Sequence, residues 1–230
     1  MDAVVFADDA SEQEKIESLK AIEGYLQKGL GNTKVIDVYD ETSQSYEKNL
    51  NVANYKGPQG LANAMEELFP NNRHKIKILD AASGTGLSGE ALYKAGFTNL
   101  DGVDASEKML DLAKSKNIYQ RLICEYLGEN KLRTHVNDRI YDVVTMCGGV
   151  GQNHTPWCAF EELASVVKPG GLFVLVTRDE HFDCVDQQGN TGRRMFRKLA
   201  DEGKWKLESK KTLPDYIYGE EGVIVVLRIL

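Results

Sequence analysis

Apolar residues in the first part of the chain recur at helical intervals. Within residues 11–28 they lie three apart, at Ile16, Leu19 and Ile22. This spacing predicts an amphipathic helix, and a serine followed three residues later by a glutamate favours a start at residue 11. A glycine and a proline at positions 57 and 58 predict a second helix over residues 58–68, because proline suits the first turn of a helix. Residues 1–70 are therefore predicted to form a helical N-terminal lead.

From residue 76 onward, short apolar runs alternate with helical patterns. The runs predict strands over residues 76–82, 99–103, 121–127, 141–146 and 172–177. The segments between and after them predict helices over residues 87–95, 106–117, 155–167 and 190–202, and the Lys168–Gly171 stretch predicts a turn. This alternation is typical of an α/β fold with parallel strands and right-handed crossovers. Two last runs, 205–207 and 223–229, have no helical pattern between them and predict an antiparallel closing pair.

The length of 230 residues suits a single domain. We expect one domain over residues 1–230, with the lead over 1–70, a ligand-binding core over 71–180 and a closing part over 181–230.

The charge, the hydropathy and the cysteines of the chain argue against several classes of protein. The net charge of −7 argues against broad binding to nucleic acid or to an anionic membrane. No apolar run approaches the roughly 18 residues that span a bilayer, and the first ten residues are acidic rather than basic. The four cysteines form no C-x-x-C pair, so neither a metal site nor a disulfide framework is expected. A cytoplasmic protein is predicted, with the nucleus as the alternative.

The most informative stretch is a glycine-rich turn after the first predicted strand. Residues 84–89 match the pattern G-x-G-x-x-G, in which backbone N–H groups approach a nucleotide-like ligand. Asp80 lies four residues before Gly84, where a carboxylate would repel a pyrophosphate but suit a cationic ligand. S-adenosylmethionine, with its ammonium and sulfonium groups, meets that condition. Asp104 closes the second predicted strand, where it can accept hydrogen bonds from ribose hydroxyls.

Four motifs in order carry a resemblance to a known family. They are Leu79-Asp80-x-x-Ser83-Gly84-Thr85-Gly86, Val103-Asp104-x-Ser106-x-x-Met109-Leu110, Tyr141-Asp142-Val143-Val144 and Lys168-Pro169-Gly170-Gly171. Over about residues 37–180 the chain resembles the class I S-adenosylmethionine-dependent methyltransferases. A finer pattern, with Tyr46 upstream and Gly148-Gly149-Val150 after the fourth strand, is similar to the Williams–Beuren syndrome region methyltransferase-like subgroup.

The resemblance implies a Rossmann-like, doubly wound sheet of seven strands in the order 3-2-1-4-5-7-6, with one antiparallel strand and helices on both faces. It also implies S-adenosylmethionine as the cofactor and assigns roles to individual residues. The residues that it places around the methionyl part are Asp80, Ala82, Ser83, Gly84 and Gly86, and Asp104 would bind the ribose. Those beside the adenine would be Ala105, Met109, Tyr126 and Leu127, and those near the sulfonium Cys147 and Gly148.

The chain departs from the family pattern at two places. Ala82 stands where the family has the first glycine of the turn. The third strand lacks the acidic residue that commonly receives the adenine amino group, for which Glu125 and Glu129 are the alternatives.

Several further residues have two interpretations. Tyr46 either covers the methionine carboxylate from a lid or packs the lead onto the core. His154 is a weak candidate for a general base, and Cys147 is expected to be a small apolar residue rather than a nucleophile. Residues 179–184 contain metal-ligand types without a standard spacing, and the basic residues of 193–211 are expected to form a solvated face.

The expected function is transfer of a methyl group from S-adenosylmethionine to an unidentified acceptor, a small molecule or a protein. Two alternatives stay open: an NAD(P)-dependent oxidoreductase, and a non-catalytic S-adenosylmethionine-binding protein. The oligomeric state does not follow from the sequence.

Overall fold

The computed structural model describes residues 4–25, 27 and 31–230. Its helices are α1 (Glu12–Tyr25), α2 (Asn32–Val52), α3 (Gly57–Leu68), α4 (Leu87–Lys94), α5 (Glu107–Ser115), α6 (Leu132–His135), α7 (Ala159–Ser165) and α8 (Gly192–Asp201). Its strands are β1 (Lys77–Ala81), β2 (Asn99–Asp104), β3 (Arg121–Cys124), β4 (Tyr141–Cys147), β5 (Val167–Thr177), β6 (Trp205–Ile217) and β7 (Glu220–Ile229). Short 3₁₀ turns lie at Arg73–Lys75 and Asp179–Asp183.

The seven strands form one sheet in the order β3-β2-β1-β4-β5-β7-β6. The first five pair in parallel, and β7 is antiparallel to both of its neighbours. The predicted order and the antiparallel closing pair are both confirmed. Two apolar clusters cover the two faces of the sheet, so β1 and β4 are buried on both sides over most of their length.

In the helical lead, α1 packs against α2 and α2 contacts α5, while α3 packs beside α4 on one face of the sheet. Helix α1 matches the predicted helix up to Tyr25, and its predicted end at residue 28 lies outside the described residues. Helix α2 spans 21 residues, which the sequence prediction did not assign as one helix because acidic and hydroxyl residues fill much of it. Its inward residues, Val35, Tyr39, Tyr46 and Leu50, have helical spacing, and this pattern in the sequence is what predicts the helix.

Several predicted boundaries were wrong. Strand β3 ends at Cys124 rather than at residue 127, and α7 begins at Ala159 rather than near residue 155. Strand β6 has 13 residues instead of three, because it is an edge strand whose polar side chains face solvent and mask its period. The predicted turn Lys168–Gly171 is an irregular stretch inside β5, with a register shift against β4. None of the helices within residues 4–25 and 31–230 combines the length and apolar character that crossing a membrane requires.

Candidate functional site

A cavity lies where the carboxyl ends of β1, β2 and β4 meet, beneath α2. Parallel strands all end at this edge of the sheet, and the loops that follow them provide its walls. We call it the first cavity. Most of the predicted binding residues line it: Tyr46, Ala82, Gly84, Asp104, Ala105, Met109, Tyr126, Leu127, Cys147 and Gly148, together with the base candidate His154.

Asp104 ends β2 and faces the first cavity. Its two carboxylate oxygens each accept one backbone hydrogen bond, from the N–H of Gly84 at 2.8 Å and from the N–H of Ser106 at 2.9 Å. Burial raises the pKa of Asp104, while these N–H groups favour its ionised form. The two bonds hold the carboxylate in one orientation and leave further lone pairs for the hydroxyls of a ribose.

Asp80 does not line the first cavity, whereas the sequence interpretation predicted that it faces this pocket. Its side chain is fully buried beneath the turn and accepts hydrogen bonds from the hydroxyls of Ser88, Tyr119 and Thr145 at 2.8, 2.7 and 3.1 Å. Burial raises the pKa of Asp80 to about 6, against the effect of these three donors. Asp80 thus links β1 to α4, to the loop before β3 and to β4. Its carboxylate lies beneath the glycine-rich turn, on the side away from the first cavity.

Two other predicted residues also lie outside the first cavity. The hydroxyl of Ser83 is buried against the sheet, close to Gly102 of β2. Gly86 has a φ of +86° and precedes α4, and a Cβ there would lie 3.1 Å from the ring of Tyr119. Both residues shape the turn, and they do so from the side that faces the protein interior.

The end of the cavity beyond Asp104 suits an adenine ring. Met109 and Leu127 provide apolar walls, and Glu125 lies at the edge. One carboxylate oxygen of Glu125 accepts the backbone N–H of Tyr126 at 3.0 Å, and the other lies 3.3 Å from His135. Of the two acidic alternatives, the structure brings Glu125 into the cavity and leaves Glu129 outside it.

The opposite end lies at the carboxyl end of β4. The hydroxyl of Tyr55 is 3.2 Å from the sulfur of Cys147, and burial raises the pKa of the Cys147 thiol to about 12. The thiol therefore stays protonated, which agrees with the prediction that it is not a nucleophile. Gly148 has a φ of +71°, and a Cβ there would lie 2.8 Å from the Tyr55 hydroxyl, so this position has no room for a side chain.

Helix α2 is held over the first cavity by polar contacts that the sequence prediction missed. The hydroxyl of Ser106, which also accepts the Met109 N–H as the cap of α5, donates to the carboxylate of Asp40 at 2.5 Å. Asp40 and Ser106 lie 66 residues apart, and nothing in their local sequence indicates a contact. Tyr46 lines the cavity and also packs against Tyr25 and Tyr39, so the packing interpretation is seen in the structure and the contact with a methionine carboxylate stays a prediction.

A second cavity adjoins the first. It shares Tyr39, Tyr46, Gly148 and His154 with the first cavity. Its other walls include residues of the lead, of β6 and of the loop after β5: Ile22, Tyr25, Leu50, Tyr55, Val150, Arg178, His181, Tyr216, Ile217 and Tyr218. These four shared residues lie at the boundary between the two cavities.

Charged side chains are unevenly distributed around the first cavity. Among the described residues that line it, the carboxylates of Asp104 and Glu125 are present and no lysine or arginine is. Such a wall repels phosphate groups and attracts a cation. The sequence interpretation assigned this distinction to Asp80, whereas in the structure Glu125 is the carboxylate that adds to Asp104, the predicted ribose-binding residue.

The remaining candidate clusters are used in structural contacts. In the loop of residues 179–184, the carboxylates of Asp179 and Asp183 bind the guanidinium of Arg193. Among the described residues, no group of three or more His, Cys, Asp or Glu side chains is placed to hold a metal ion.

Comparison with known proteins places the chain in a family. Residues 78–171 match the model of a methyltransferase domain. The chain is 35% identical over 168 residues to methyltransferase-like protein 27 from Homo sapiens, a match that covers 73% of this chain and 66% of that protein. It is 30% identical over 105 residues to a ubiquinone biosynthesis O-methyltransferase from Coxiella burnetii, covering 46% of this chain and 44% of that protein. The chain thus spans about two thirds of the first relative and less than half of the second.

A solved structure has the same architecture. The magnesium protoporphyrin IX methyltransferase from Synechocystis, solved with bound S-adenosylhomocysteine, superposes with a TM-score of 0.57 at 15% identity. The superposition covers 94% of this chain and 95% of that one.

Proposed function

The chain belongs to the class I S-adenosylmethionine-dependent methyltransferases, and we propose that it transfers a methyl group from S-adenosylmethionine in the first cavity to a small molecule in the second. The observation that carries this proposal is the lining of the first cavity. It has two carboxylates, Asp104 and Glu125, and no described cationic side chain. A dinucleotide needs partners for its pyrophosphate, whereas S-adenosylmethionine carries positive charge and no phosphate. The oxidoreductase alternative is therefore not favoured.

The residues of the first cavity fit the parts of S-adenosylmethionine. Asp104 would hold the ribose hydroxyls, and Met109 and Leu127 would enclose the adenine. Gly84 and Tyr46 lie where the methionyl part would extend, and Gly148 lies beside the opening to the second cavity.

The protein's contribution to the reaction is to position the reactants and exclude water. S-adenosylmethionine supplies an already activated methyl group, so alignment of donor and acceptor lowers the barrier. The tyrosines shared by the two cavities, Tyr39 and Tyr46, are half-buried, which would limit the water between the reactants.

A small acceptor is supported by the shape and surroundings of the second cavity. It is a partly open cavity lined by side chains of the lead, β6 and the loops after β4 and β5. Two of the relatives have names that refer to organic molecules rather than to proteins, namely ubiquinone and demethylmenaquinone. We propose an acceptor of comparable kind, a small organic molecule rather than a protein side chain.

We further propose that the protein works in the cytoplasm and does not bind nucleic acid broadly. Cys124, Cys147 and Cys158 are free thiols, which suits a reducing compartment. Much of the basic charge of residues 193–211 is neutralised: Arg193 and Lys210 bind Asp179, and Lys211 binds Glu67. Cell fractionation and a filter-binding assay with duplex DNA and RNA test these two points.

The decisive experiment supplies labelled S-adenosylmethionine to the protein with fractionated cell extract. We expect label in a small-molecule fraction, and loss of that label with Asp104→Ala. Label in the protein fraction would contradict the small acceptor. Binding of S-adenosylhomocysteine with no transfer to any fraction would instead support the non-catalytic alternative.

A further inference from the structure

In the proposed function the second cavity holds the methyl acceptor, and the acceptor chemistry inferred from its walls rests on that function. The charge of the cavity is the first indication. Among the described lining residues none is aspartate or glutamate, and the one arginine, Arg178, forms ion pairs with Glu180 and Glu220. An ammonium group would find no carboxylate there, and a carboxylate would compete with two glutamates for Arg178. The cavity therefore favours a neutral acceptor.

The histidines of the second cavity are also neutral. Burial lowers the pKa of His154, and burial together with the neighbouring Arg178 lowers the pKa of His181 to about 4. At neutral pH both rings therefore favour the uncharged form and act as hydrogen-bonding groups.

Six tyrosines surround this cavity and favour a planar, apolar body. The rings of Tyr25 and Tyr39 are stacked with centroids 4.5 Å apart, and the rings of Tyr55 and Tyr216 meet edge to face at 5.2 Å. Aromatic walls of this kind pack well against another aromatic ring. The hydroxyls of Tyr55 and Tyr216 lie 3.3 Å apart near Gly148 and mark a polar end next to the first cavity.

The hydrogen bonds of His154 define which ring nitrogen carries the proton. Nδ1 lies 2.7 Å from the backbone oxygen of Gln152, which can only accept a hydrogen bond, so Nδ1 is the protonated nitrogen. Nε2 is then an acceptor, and the hydroxyl of Tyr39 donates to it at 2.6 Å. Both residues line the two cavities, so the Tyr39 oxygen is placed to accept a hydrogen bond from a ligand while its own proton points to His154.

We propose that the acceptor is a small neutral molecule bearing a hydroxyl on a planar apolar body, a phenol or an enol, and that Tyr39 and His154 form the relay that removes its proton. The acceptor hydroxyl donates to the oxygen of Tyr39. As methyl transfer proceeds, the Tyr39 proton moves to Nε2 of His154 and the acceptor proton replaces it on Tyr39.

The step balances in atoms and charge. The acceptor oxygen forms the new O–CH₃ bond, the S–CH₃ bond breaks with its electron pair remaining on sulfur, and the sulfonium becomes a neutral sulfide. The acceptor proton is passed on, and His154 becomes an imidazolium that later loses its proton to water. One positive charge thus moves from sulfur to imidazole. A weakly basic histidine is sufficient, because the oxygen becomes strongly acidic only as it is methylated.

The first test needs neither cofactor nor acceptor. NMR of the protein labelled with ¹⁵N-histidine reports the tautomer of each imidazole, and His154→Gln identifies which of the four histidine signals belongs to His154. We expect the neutral form with the proton on Nδ1, and a shift of the Nε2 signal in Tyr39→Phe. A proton on Nε2 would overturn the relay, because the ring could then accept nothing from Tyr39.

The second test measures binding to protein saturated with S-adenosylhomocysteine, using three probes of similar size. They are 4-ethylphenol, phenethylamine in its ammonium form and 3-phenylpropionate. We expect the phenol to bind about tenfold more tightly than either charged probe, and about tenfold more weakly to Tyr39→Phe than to wild type. Tyr93→Phe, an exposed tyrosine of α4 outside both cavities, is the matched control and should bind the phenol like wild type.

The results of these experiments distinguish a failure of the proposed acceptor class from a failure of the proposed methyltransferase function. Equal or tighter binding of a charged probe, or no binding of any probe, would overturn the acceptor class. Failure of S-adenosylhomocysteine itself to bind would overturn the proposed function, while the tautomer of His154 would still decide whether the relay exists.

Discussion

The hydroxyl of Tyr39 lies 2.6 Å from Nε2 of His154, and the two residues are 115 positions apart in the chain. This bond joins helix α2 of the lead to the loop after β4. The lead is thereby part of the site, since both cavities have one wall from α2 and another from the sheet.

We expect removal of the Tyr39 hydroxyl to destabilise the protein. In Tyr39→Phe the buried Nε2 of His154 loses its donor, which should lower the free energy of unfolding by about 1–2 kcal/mol. Urea unfolding of the two proteins measures the difference. In Tyr93→Phe, where the ring is 42% exposed, the change should stay within about 0.5 kcal/mol. Equal effects of the two substitutions would show that the Tyr39 bond contributes nothing to stability.

The buried carboxyl of Asp80 should destabilise the folded state as pH rises. Burial raises the pKa of Asp80 from 3.8 to about 6, so the folded state binds its proton more tightly than the unfolded state does. The protonated carboxyl of Asp80 thus contributes to the free energy of unfolding at low pH, and this contribution is lost as the carboxyl ionises. Asp80→Asn cannot ionise, so its stability relative to wild type should rise by about 2 kcal/mol between about pH 4 and pH 8. A pH-independent difference in urea unfolding would contradict the assignment.

His181 should have the opposite effect over an overlapping range. Burial lowers the pKa of His181 from 6.5 to about 4, so the unfolded state binds the proton more tightly. Stability from this group is present above pH 6.5 and is lost as the pH falls towards 4. The variant His181→Asn can still form a hydrogen bond with the Thr177 hydroxyl. Between about pH 8 and pH 4 its free energy of unfolding should fall by about 2 kcal/mol less than that of wild type. Parallel profiles for the two proteins would refute this.

The contact between Ala82 and Gly149 limits the space beside the first cavity. A Cβ at Gly149 would lie 2.7 Å from the Cβ of Ala82, so Gly149→Ala should lower the free energy of unfolding by about 1–3 kcal/mol. In an Ala82→Gly background the contact with Ala82 is removed and only the side chain of Met146, whose Cγ would lie 2.8 Å away, must still move, so the same change should cost at least about 1 kcal/mol less. Additive effects in this double-mutant cycle would mean that the clash is relieved elsewhere, for instance at Met146.

The sheet was predictable because its strands are short apolar runs with clear stops. Tyr141-Asp142-Val143-Val144 and the motif ending in Asp104 give both the strand and the position of its carboxyl end. Edge strand β6 was underestimated because its side chains face solvent, so a hydrophobic pattern is absent over most of its length.

The first cavity was largely predictable and the second was not. Residues that directly follow strands, such as Asp104 and Gly148, reach the site because the topology requires it. The direction of a side chain within a strand is harder to predict, and Asp80 points beneath the turn to three hydroxyls rather than outward. Contacts such as Asp40 with Ser106 depend on how the lead docks, which local sequence does not encode.

The central claim is that the first cavity binds S-adenosylmethionine through Asp104. Titration calorimetry with S-adenosylhomocysteine on wild type, Asp104→Asn and the control Glu107→Gln tests it most directly. Glu107 lies in the first turn of α5 outside the first cavity, and its substitution should leave the affinity unchanged. Asp104→Asn should weaken binding about ten- to hundredfold, because hydrogen bonds to a charged group contribute about 1.5–3 kcal/mol. Tighter binding of NADH than of S-adenosylhomocysteine, or equal affinity of wild type and Asp104→Asn, would contradict the account.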